Sequence, residues 1–492
     1  MIPRKYDVET DVIVVGYGAA GAAAAITAHD NGASVIILDK MSIPGGNSRV
    51  SVANMAIPED SEKFAQYLKT ITFATTEPEI IDTFAEGVME LKDWIATMGG
   101  ELMRFNWPEA SYSYNSPDVT FPSLLGGEDI KRWHVKQTET TPEPTGGDRL
   151  WHLLAKQVES RGIKVMLSTP ATALIQDQKG EIVGVIAESE RKSISIGARR
   201  GVVLTCGGFE NNETLKRDSL SPKPMLFLGN PSNTGDGIRM VQKVGAALWH
   251  MGTTACNIGF KAPEYEAAFF VNFLAPGFIY VDKYGKRFVD EGSIDSHAYG
   301  ISLSEFDTKR CEYRHVPFYV IFDEEIRRRS PISWATCGYS KVIEKYNWSP
   351  DNSAEVKKGW IIRARTIAEL AKRISADEST LENTIAKYNE YCRVGKDADF
   401  GRPKDRLKAI EGPPYYAMQL WPALLNTQGG PRRDKEARVL DPDDNPIPRL
   451  FAAGEFGSIW GFLYQTATNM DEALVFGQIA GRNAAMNRPV EP

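Results

Sequence analysis

"DVIVVGYGAAGAAAAITAHDNGASVIILDK", residues 11–40, decides the fold of this 492-residue chain. An apolar run ends at Val15, a glycine-rich turn and an alanine-rich stretch follow, and a second apolar run ends at Leu38. A strand, a crossover helix and a second strand in this order form a right-handed parallel βαβ unit. The sequence therefore predicts an α/β protein that begins with a doubly wound, Rossmann-like sheet.

The turn of this unit has the spacing of a dinucleotide site. Gly16, Gly18 and Gly21 form G-x-G-x-x-G between strand and helix, and Asp39 closes the next strand where it can hold a ribose hydroxyl. The first glycine permits the tight turn, the second lets the backbone approach a pyrophosphate, and the third lets the helix pack on the strand. The alternative is a tight turn in any parallel sheet, but strand, helix and acid together favour a bound dinucleotide, either NAD or FAD.

The stretch "PGGNSRV", residues 44–50, separates these two cofactors. Glycines and polar side chains just after the second strand are placed to follow the pyrophosphate towards an isoalloxazine ring, which lies farther along the dinucleotide than the adenosine half. A plain surface turn would not need so many hydrogen-bond donors. The stretch therefore favours FAD.

Composition excludes several other classes of protein. With 42% hydrophobic and 25% charged residues the chain is globular, and no apolar run approaches the roughly 18 residues of a membrane span. A net charge of −7 without a basic stripe makes nucleic acid an unexpected partner. The five cysteines form no CxxC pair, so we expect no metal centre, and the N-terminus lacks an export pattern, so we expect a cytoplasmic protein.

The length predicts two domains. Residues 270–410 are helical and rich in charge, as in "TIAELAKRISADESTLENTIAKYNEYCRVG", whereas the flanking text is rich in apolar strands. We expect an inserted α+β capping domain at 270–410 within a discontinuous FAD-binding domain at 1–269 and 411–492. Residues 104–148, rich in Tyr, Trp, Pro and Gly, predict a long irregular excursion that lines a site.

Motifs along nearly the whole chain resemble those of one flavoprotein superfamily. They include "PGGNS", "TGGDRLW", "VVLTCGGFENN", "NTGDGIRMVQKVGAAL", "YVDKYGKRFVDE", "DADFGR" and "LFAAGEFGSIWGFLY". This text is similar to that of soluble fumarate reductases, 3-ketosteroid dehydrogenases and related enone reductases. The resemblance implies a glutathione-reductase-like FAD-binding domain with FAD bound by Gly16, Gly18, Ala19, Ala20, Gly21, Asp39, Lys40, Gly45, Gly46, Asn47, Ser48, Ala171, Gly207, Gly208, Asp236, Gly454 and Glu455.

The resemblance also bears on how the flavin is held. Relatives with a covalent flavin use a histidine in the stretch corresponding to 44–50, and none occurs here, so we expect non-covalent FAD. Glu455 is expected near the ribityl chain, the alternative being a helix-capping or solvent-exposed carboxylate. The segment after Tyr464 predicts a helix whose N-terminus can stabilise negative charge on the reduced flavin.

The positions that bind a dicarboxylate in fumarate reductases differ in this sequence. Those enzymes surround the substrate with arginines and histidines, whereas the corresponding positions here hold Asp295, Asn426 and Gln465. A dianion stripped of water without cationic partners would cost several kcal/mol. This argues against a fumarate-like substrate pose, while Arg432 and Arg433 keep an anionic substrate open.

The ketosteroid dehydrogenases place a tyrosine where this sequence has Tyr464. Its hydroxyl can donate to a ketone oxygen and stabilise an enolate. Thr468 stands where those enzymes have a glycine that supplies a second, backbone donor. Asp295 occupies the position of their tyrosine base and is the expected base here, with His297 and Tyr299 as alternates; a solvated helix-start residue is the other interpretation of Asp295.

Aromatic residues cluster in two stretches of the sequence. Such a set predicts a broad apolar pocket for a ring system, in which Tyr112 and Tyr114 are further catalytic candidates, although dense aromatics are often only core. The set consists of Phe105, Trp107, Tyr112, Tyr114, Trp460, Phe462 and Tyr464.

These residues lead to one main hypothesis and two alternatives. The main hypothesis is an FAD-dependent oxidoreductase that acts on a carbon–carbon bond beside a carbonyl, with a cyclic or steroid-like ketone as substrate and an external electron donor or acceptor. The cap is expected to carry Asp295 to the substrate from the side opposite Tyr464. The alternatives are a reductase or dehydrogenase of an unsaturated acid and an electron-transfer flavoprotein subunit.

Overall fold

The structure is a computed structural model that describes residues 5–105, 118–294, 297–333 and 337–490. Within these ranges no helix is both long and apolar enough to cross a membrane. The strands, in chain order, are β1 (Val8–Val15), β2 (Val35–Leu38), β3 (Met55–Ile57), β4 (Leu102–Arg104), β5 (Lys131–Val135), β6 (Lys164–Met166), β7 (Ala171–Gln176), β8 (Ile182–Ser189), β9 (Lys192–Leu204), β10 (Leu226–Phe227), β11 (Leu248–Trp249), β12 (Thr254–Phe260), β13 (Phe269–Phe270), β14 (Phe278–Asp282), β15 (Phe306–Asp307), β16 (Glu312–Tyr313), β17 (Phe318–Asp323), β18 (Ile362–Ala364), β19 (Tyr415–Thr427), β20 (Gly430–Pro431), β21 (Arg438–Leu440) and β22 (Pro446–Ala452).

Helices connect and cover these strands. They are α1 (Ala19–Asp30), α2 (Gly46–Val50), α3 (Ser61–Ile71), α4 (Pro78–Met89), α5 (Leu91–Thr97), α6 (Gly146–Ser160), α7 (Glu213–Ser219), α8 (Asp236–Lys243), α9 (Tyr299–Ser302), α10 (Glu324–Arg329), α11 (Tyr339–Val342), α12 (Ser353–Lys357), α13 (Ile367–Ile374), α14 (Glu378–Val394) and α15 (Thr468–Met486).

The first sheet has eight strands and contains the predicted βαβ unit. Its order is β21-β22-β9-β1-β2-β6, and β8 extends it from β9 and pairs in turn with β7. The pairs β22–β9, β9–β1, β1–β2 and β2–β6 are parallel. Val15 pairs with both Leu38 and Leu204, and Leu204 pairs with Ala452, so four parallel strands end at one level. Loops that leave this edge lie side by side.

Helices α1 and α15 pack against each other because both present small residues. An added Cβ at Gly477 would lie 2.7 Å from the Ala20 carbonyl oxygen, and one at Gly481 would lie 2.2 Å from the Ala24 carbonyl oxygen. The helix backbones therefore touch directly. This contact fixes the start of α15 beside the glycine turn of α1.

The second sheet has seven strands and centres on β19. Strands β12 and β17 pair antiparallel with β19, β13 pairs with β12, and β14 pairs with β17. Strands β10, β12 and β19 lie outside residues 270–410, so this sheet extends past both limits predicted for the capping domain. The reason is that the 13 residues of β19 pair with different strands along their length. The division into two domains stays a prediction.

Two of the superfamily motifs form a buried ion cluster beneath this second sheet. Arg287 of "RFVDE" lies 2.8 Å from both the Glu291 and the Asp397 carboxylates, and Arg402 of "DADFGR" lies 3.0 Å from Glu291. Their side chains are almost completely buried, and each of these charges has an opposite charge beside it. These motifs therefore act through packing of the second sheet.

Candidate active site and cofactor cavity

A cavity of about 490 Å³ runs along the carboxyl edge of the first sheet and reaches the second sheet at β19. Asp39 and Lys40 line one part of it, and His297 and Tyr464 line another. The glycine turn and the first residues of α2 lie on the wall between them. The cavity is thus built where sheet topology places ligands in open α/β proteins.

The glycine turn has the backbone that its sequence requires. Gly16 has φ +106°, and an added Cβ there would lie 2.2 Å from the Thr205 carbonyl oxygen. An added Cβ at Gly21 would lie 2.0 Å from the Gly16 carbonyl oxygen. These two glycines allow strand β1, helix α1 and the end of β9 to approach closely.

Two other glycines leave space in the cavity itself. Gly18 has extended backbone, and an added Cβ would meet Ser48 Oγ at 3.4 Å as its nearest atom. At Gly46 an added Cβ would meet no atom within 4 Å. Both residues line the cavity beside the N-terminus of α1. The open space, together with the helix N-terminus, fits the pyrophosphate of FAD.

The carboxylate and ammonium groups near β2 hold one another in fixed positions. Asp39 accepts hydrogen bonds from the backbone N–H groups of Tyr17 (2.9 Å) and Met41 (2.8 Å), and burial raises the pKa of its carboxyl group despite these bonds. Lys40 Nζ donates to Asp236 Oδ2 (2.5 Å) and Thr234 Oγ1 (2.8 Å). Asp39 is therefore held in place on the cavity wall, and its contact with a ribose hydroxyl stays a prediction.

Tyr464 is anchored through its phenol oxygen. That oxygen accepts hydrogen bonds from the backbone N–H groups of Ala467 (2.9 Å) and Asn469 (3.4 Å) at the start of α15. The side chain is 8% exposed and lines the cavity. Burial raises the pKa of Tyr464 above its ordinary value, so the hydroxyl keeps its proton at neutral pH. An anchored, protonated hydroxyl is a suitable donor to a substrate oxygen.

His297 lies beside Tyr464 on the same wall. The two rings meet edge to face with centroids 5.1 Å apart, and His297 Nδ1 lies 2.9 Å from Thr466 Oγ1. The His297 carbonyl oxygen accepts a hydrogen bond from the N–H of Cys256, which attaches this segment to β12. The structure thus brings together two of the predicted catalytic residues.

Comparison with known proteins identifies the family. Residues 11–470 match the FAD binding domain family. The chain belongs to this family. A urocanate reductase of Eggerthella lenta is 28% identical over 98% of this chain and 76% of its own length. A fumarate reductase (cytochrome) of Shewanella frigidimarina is 27% identical over 96% of this chain and 77% of its own length.

A solved structure agrees with this membership. The 3-ketosteroid Δ1-dehydrogenase of Sterolibacterium denitrificans, in complex with 1,4-androstadiene-3,17-dione, superposes with a TM-score of 0.83 at 25% identity, over 97% of this chain and 99% of that chain. The predicted FAD cofactor, the Rossmann-like flavoenzyme fold and the resemblance to fumarate reductases and ketosteroid dehydrogenases are confirmed. The protein is an FAD-dependent oxidoreductase of the FAD binding domain family.

Most of the residues that the sequence predicts to bind FAD line the cavity. Gly21, Gly45 and Gly208 do not, and they shape the wall from behind. Gly45, with φ +114°, is the N-cap residue of α2, and an added Cβ at Gly208 would meet Thr427 Oγ1 at 2.2 Å. The predicted residues on the cavity wall are Gly16, Gly18, Ala19, Ala20, Asp39, Lys40, Gly46, Asn47, Ser48, Ala171, Gly207, Asp236, Gly454 and Glu455.

The predicted aromatic pocket is only partly present. Phe105 lines the cavity, but Trp460 is fully buried between Phe84 and Tyr464, and Phe462 is 44% exposed against Phe73. The prediction that Trp460 and Phe462 line the pocket was therefore wrong. The sequence of a loop does not reveal which of its side chains enters the core. Tyr464 lines the cavity, whereas Trp107, Tyr112 and Tyr114 lie outside the described residues, as does the catalytic candidate Asp295.

Two groups predicted from the sequence, Tyr299 and the backbone N–H of Thr468, are engaged in the protein interior. Tyr299 is buried in the core and does not line the cavity. The backbone N–H of Thr468, expected as a second donor, bonds to the Gln465 carbonyl oxygen at 3.2 Å. Gln465 is also fully buried and accepts a hydrogen bond from Tyr67. Of the two predicted donors, Tyr464 and Thr468, only Tyr464 lines the cavity.

Arg432 and Arg433 do not reach the cavity, which removes the argument for an anionic substrate that rested on them. Arg432 pairs with Glu77 and Asp444 at the surface. Arg433 is fully buried, pairs with Glu472 and donates to the Gly457 carbonyl oxygen. The pair of adjacent arginines therefore has a structural function.

Loss of the buried partner of Arg433 should destabilise the protein. We expect Glu472→Gln to lower the free energy of unfolding by about 3–5 kcal/mol, because it leaves an uncompensated buried guanidinium. The matched surface change, Glu77→Gln beside Arg432, should cost less than about 1 kcal/mol. Urea denaturation of the two variants measures both values. Equal costs would show that the Arg433 pair is solvated.

Sequence reasoning missed several polar residues of the site. Glu210, Asn233 and Asn469 lie in or against the cavity wall, and Asn469 Nδ2 donates to Asn426 Oδ1 at 2.9 Å. The motif "CGGFENN" carried a signal for Glu210, because an acid two residues after a glycine pair at a strand end lies at the same edge of the sheet. Nothing local indicates Asn469, whose position depends on the start of α15.

Proposed function

We propose that this protein exchanges hydride with a carbon–carbon bond beside the carbonyl group of a neutral, ring-containing ketone. When bound, FAD supplies the hydride donor or acceptor. The observation that carries the proposal is Tyr464, a protonated hydroxyl fixed by two backbone N–H groups at a cavity wall without arginine among its described residues. The cofactor is proposed to be non-covalent, and the cytoplasmic location stays a prediction.

The charge of the cavity supports a neutral substrate. Among the described residues that line the cavity, Lys40 is the only lysine, and its ammonium group is hydrogen-bonded to Asp236 and Thr234. The sequence contains no Lys, Arg or His in the internal stretches outside the described residues, which are 106–117, 295–296 and 334–336. A dicarboxylate would therefore leave water without the paired cations that offset its desolvation.

The hydrogen bonds around Tyr464 support enolate stabilisation. Because its oxygen accepts from Ala467 and Asn469, the hydroxyl proton remains for a substrate carbonyl oxygen. In the oxidative direction the carbon next to the carbonyl loses a proton to a base, and the neighbouring carbon gives up a hydride, which leaves a double bond. Tyr464 stabilises the negative charge that develops on oxygen.

The base expected from the sequence, Asp295, lies outside the described residues. Its predicted alternate, His297, is proposed as the group that exchanges this proton. His297 lines the cavity beside Tyr464, and its Nδ1 contact with Thr466 Oγ1 orients the ring. A base and an oxyanion donor on one wall allow proton and hydride to leave adjacent carbons. An external electron carrier completes the cycle.

A second candidate function is reduction of an unsaturated acid. It is favoured by the similarity to a urocanate reductase and a fumarate reductase, at 28% and 27% identity. Without an arginine on the described wall, a monoacid would depend on backbone N–H groups or on protonated His297. The neutral ketone is therefore preferred.

The two functions differ in what reoxidises the reduced flavin. Enzyme reduced anaerobically with dithionite is mixed with 1,4-androstadiene-3,17-dione, cyclohex-2-enone, fumarate and urocanate, and the flavin absorbance is followed. We expect the oxidised spectrum to return with an enone and not with the acids. Oxidised enzyme mixed with the saturated ketones gives the reverse arm. Reoxidation by acids alone would establish the second candidate.

A further inference from the structure

Two glutamates that follow neighbouring strands meet at the cavity wall. Glu210 follows β9, Glu455 follows β22, and these strands are parallel neighbours. An added Cβ at Gly208 would lie 2.4 Å from both Glu210 Oε2 and Glu455 Oε1, so these two oxygens lie within about 5 Å of each other. Gly208 is thus required because the carboxyl groups occupy the space that its side chain would take.

The same two amides hold both carboxyl groups. Asn47 Nδ2 lies 2.7 Å from Glu210 Oε1 and 3.0 Å from Glu455 Oε2. Asn233 Nδ2 lies 2.7 Å from Glu210 Oε1 and 3.3 Å from Glu455 Oε2. Thr427 adds its N–H to Glu455 and its hydroxyl to Glu210. Each amide therefore bridges the pair through Glu210 Oε1 and Glu455 Oε2. The two bonds from Thr427 go to the other two oxygens, Glu210 Oε2 and Glu455 Oε1, which are the ones that approach each other beside Gly208.

No cation compensates this pair among the described residues. The groups that face it from α2, from the loop at 229–235 and from β19 are amides, hydroxyl and peptide groups. Burial, together with the neighbouring carboxyl group in the case of Glu455, raises the pKa of both glutamates, that of Glu455 well above its ordinary value. Two adjacent buried carboxylates cannot both ionise without a large cost.

Several other titratable groups of the described cavity wall bond elsewhere. Lys40 pairs with Asp236, Asp39 accepts from backbone N–H groups, His297 contacts Thr466, and Tyr464 accepts from the start of α15. The Cys206 thiol donates to the Val15 carbonyl oxygen, and burial raises the pKa of both Cys206 and Cys337 to about 12. The glutamate pair is therefore electrostatically isolated within the wall.

We propose that Glu210 and Glu455 share one proton and that this acid–carboxylate pair positions Asn47 and Asn233 for FAD, so that FAD binding weakens when the shared proton is lost. Glu455, Asn47 and Asn233 line the cavity, whereas Glu210 lies behind them and acts as a positioning residue. The shared proton joins Glu210 Oε2 to Glu455 Oε1. When the shared proton is lost, the carboxyl O–H bond breaks, the proton passes to water, and the hydrogen bond between the two groups is lost with it.

The direction of the pH dependence follows from where FAD would lie. Glu455 is partly accessible from the cavity, so bound FAD would displace water from it and disfavour the doubly ionised pair further. The pair in FAD-bound protein then holds its proton to a higher pH than in apoprotein. In the pH range between the pKa of the pair in apoprotein and its pKa in FAD-bound protein, the FAD dissociation constant rises with pH, by up to about tenfold per pH unit.

The test measures FAD binding to apoprotein by flavin fluorescence from about pH 6 to about pH 10. We expect the wild-type dissociation constant to rise with pH, and that of Glu210→Gln to stay level. The glutamine amide can keep the two acceptor bonds and donate to Glu455 in place of the shared proton. Asp471→Asn is the matched control: Asp471 is buried, its carboxyl pKa is raised by burial, and it does not line the cavity. Its slope should equal that of wild type.

A second measurement guards against misfolding of the variant. The melting temperature of Glu210→Gln apoprotein should exceed that of wild type at alkaline pH and not at acidic pH. The reason is that ionisation of the carboxyl pair destabilises the folded wild-type protein as pH rises through the raised pKa of the pair. A level wild-type binding profile, or the same slope in Glu210→Gln as in wild type, would overturn the proposal. If Glu210→Gln does not fold, the wild-type profile still decides.

Discussion

Replacement of Tyr464 by phenylalanine is expected to lower turnover on the best ketone substrate by about 10²–10³-fold, which corresponds to roughly 3–4 kcal/mol. The change keeps the ring that packs against Trp460 and His297 but removes the donor aimed at the developing oxyanion. FAD content should not change. Steady-state kinetics on the ketone, with the flavin spectrum as a measure of loading, give both quantities.

The phenol oxygen also accepts two N–H groups, so a control must separate chemistry from stability. Tyr319→Phe removes a hydroxyl that accepts from Gln419 on the second sheet, outside the cavity wall. We expect normal turnover for this variant. The melting temperature of Tyr464→Phe will show how much the start of α15 depends on the hydroxyl. A Tyr464→Phe enzyme with near-normal turnover would end the enolate mechanism.

Gly18→Val is expected to give folded protein that contains no FAD. Gly18 has extended backbone that any residue can adopt, and a Cβ would meet its nearest protein atom at 3.4 Å. The valine side chain would instead occupy the part of the cavity that fits the pyrophosphate. The ratio of flavin to protein absorbance after purification measures the loss, and circular dichroism measures the fold.

Two other glycine variants separate cofactor loss from misfolding. Gly252→Val lies on an exposed turn with its nearest contact at 3.6 Å, so it should keep FAD. Gly21→Val would place a Cβ 2.0 Å from the Gly16 carbonyl oxygen, so it should prevent folding of the βαβ unit. Full FAD content in Gly18→Val would show that the phosphates lie elsewhere.

Features carried by a short stretch of sequence could be predicted reliably. The strand, glycine turn and helix of residues 11–40 appear where the pattern indicates, and α15 begins just after Tyr464 as expected. Predictions that depended on which way a side chain points were less successful. Trp460 and Phe462 lie in one loop with Tyr464, yet only Tyr464 lines the cavity.

The sequence by itself determined the βαβ unit, the FAD cofactor and the superfamily, because glycine spacing, strand length and an acid at a strand end are local requirements of backbone geometry. Only the tertiary structure decided which charged groups meet. Asn47 and Glu455 are 408 residues apart and share a hydrogen bond beside Glu210, and Arg433 is buried against Glu472 away from the cavity. Parallel strand ends and helix packing bring these groups together, and no local pattern in the chain specifies such neighbours.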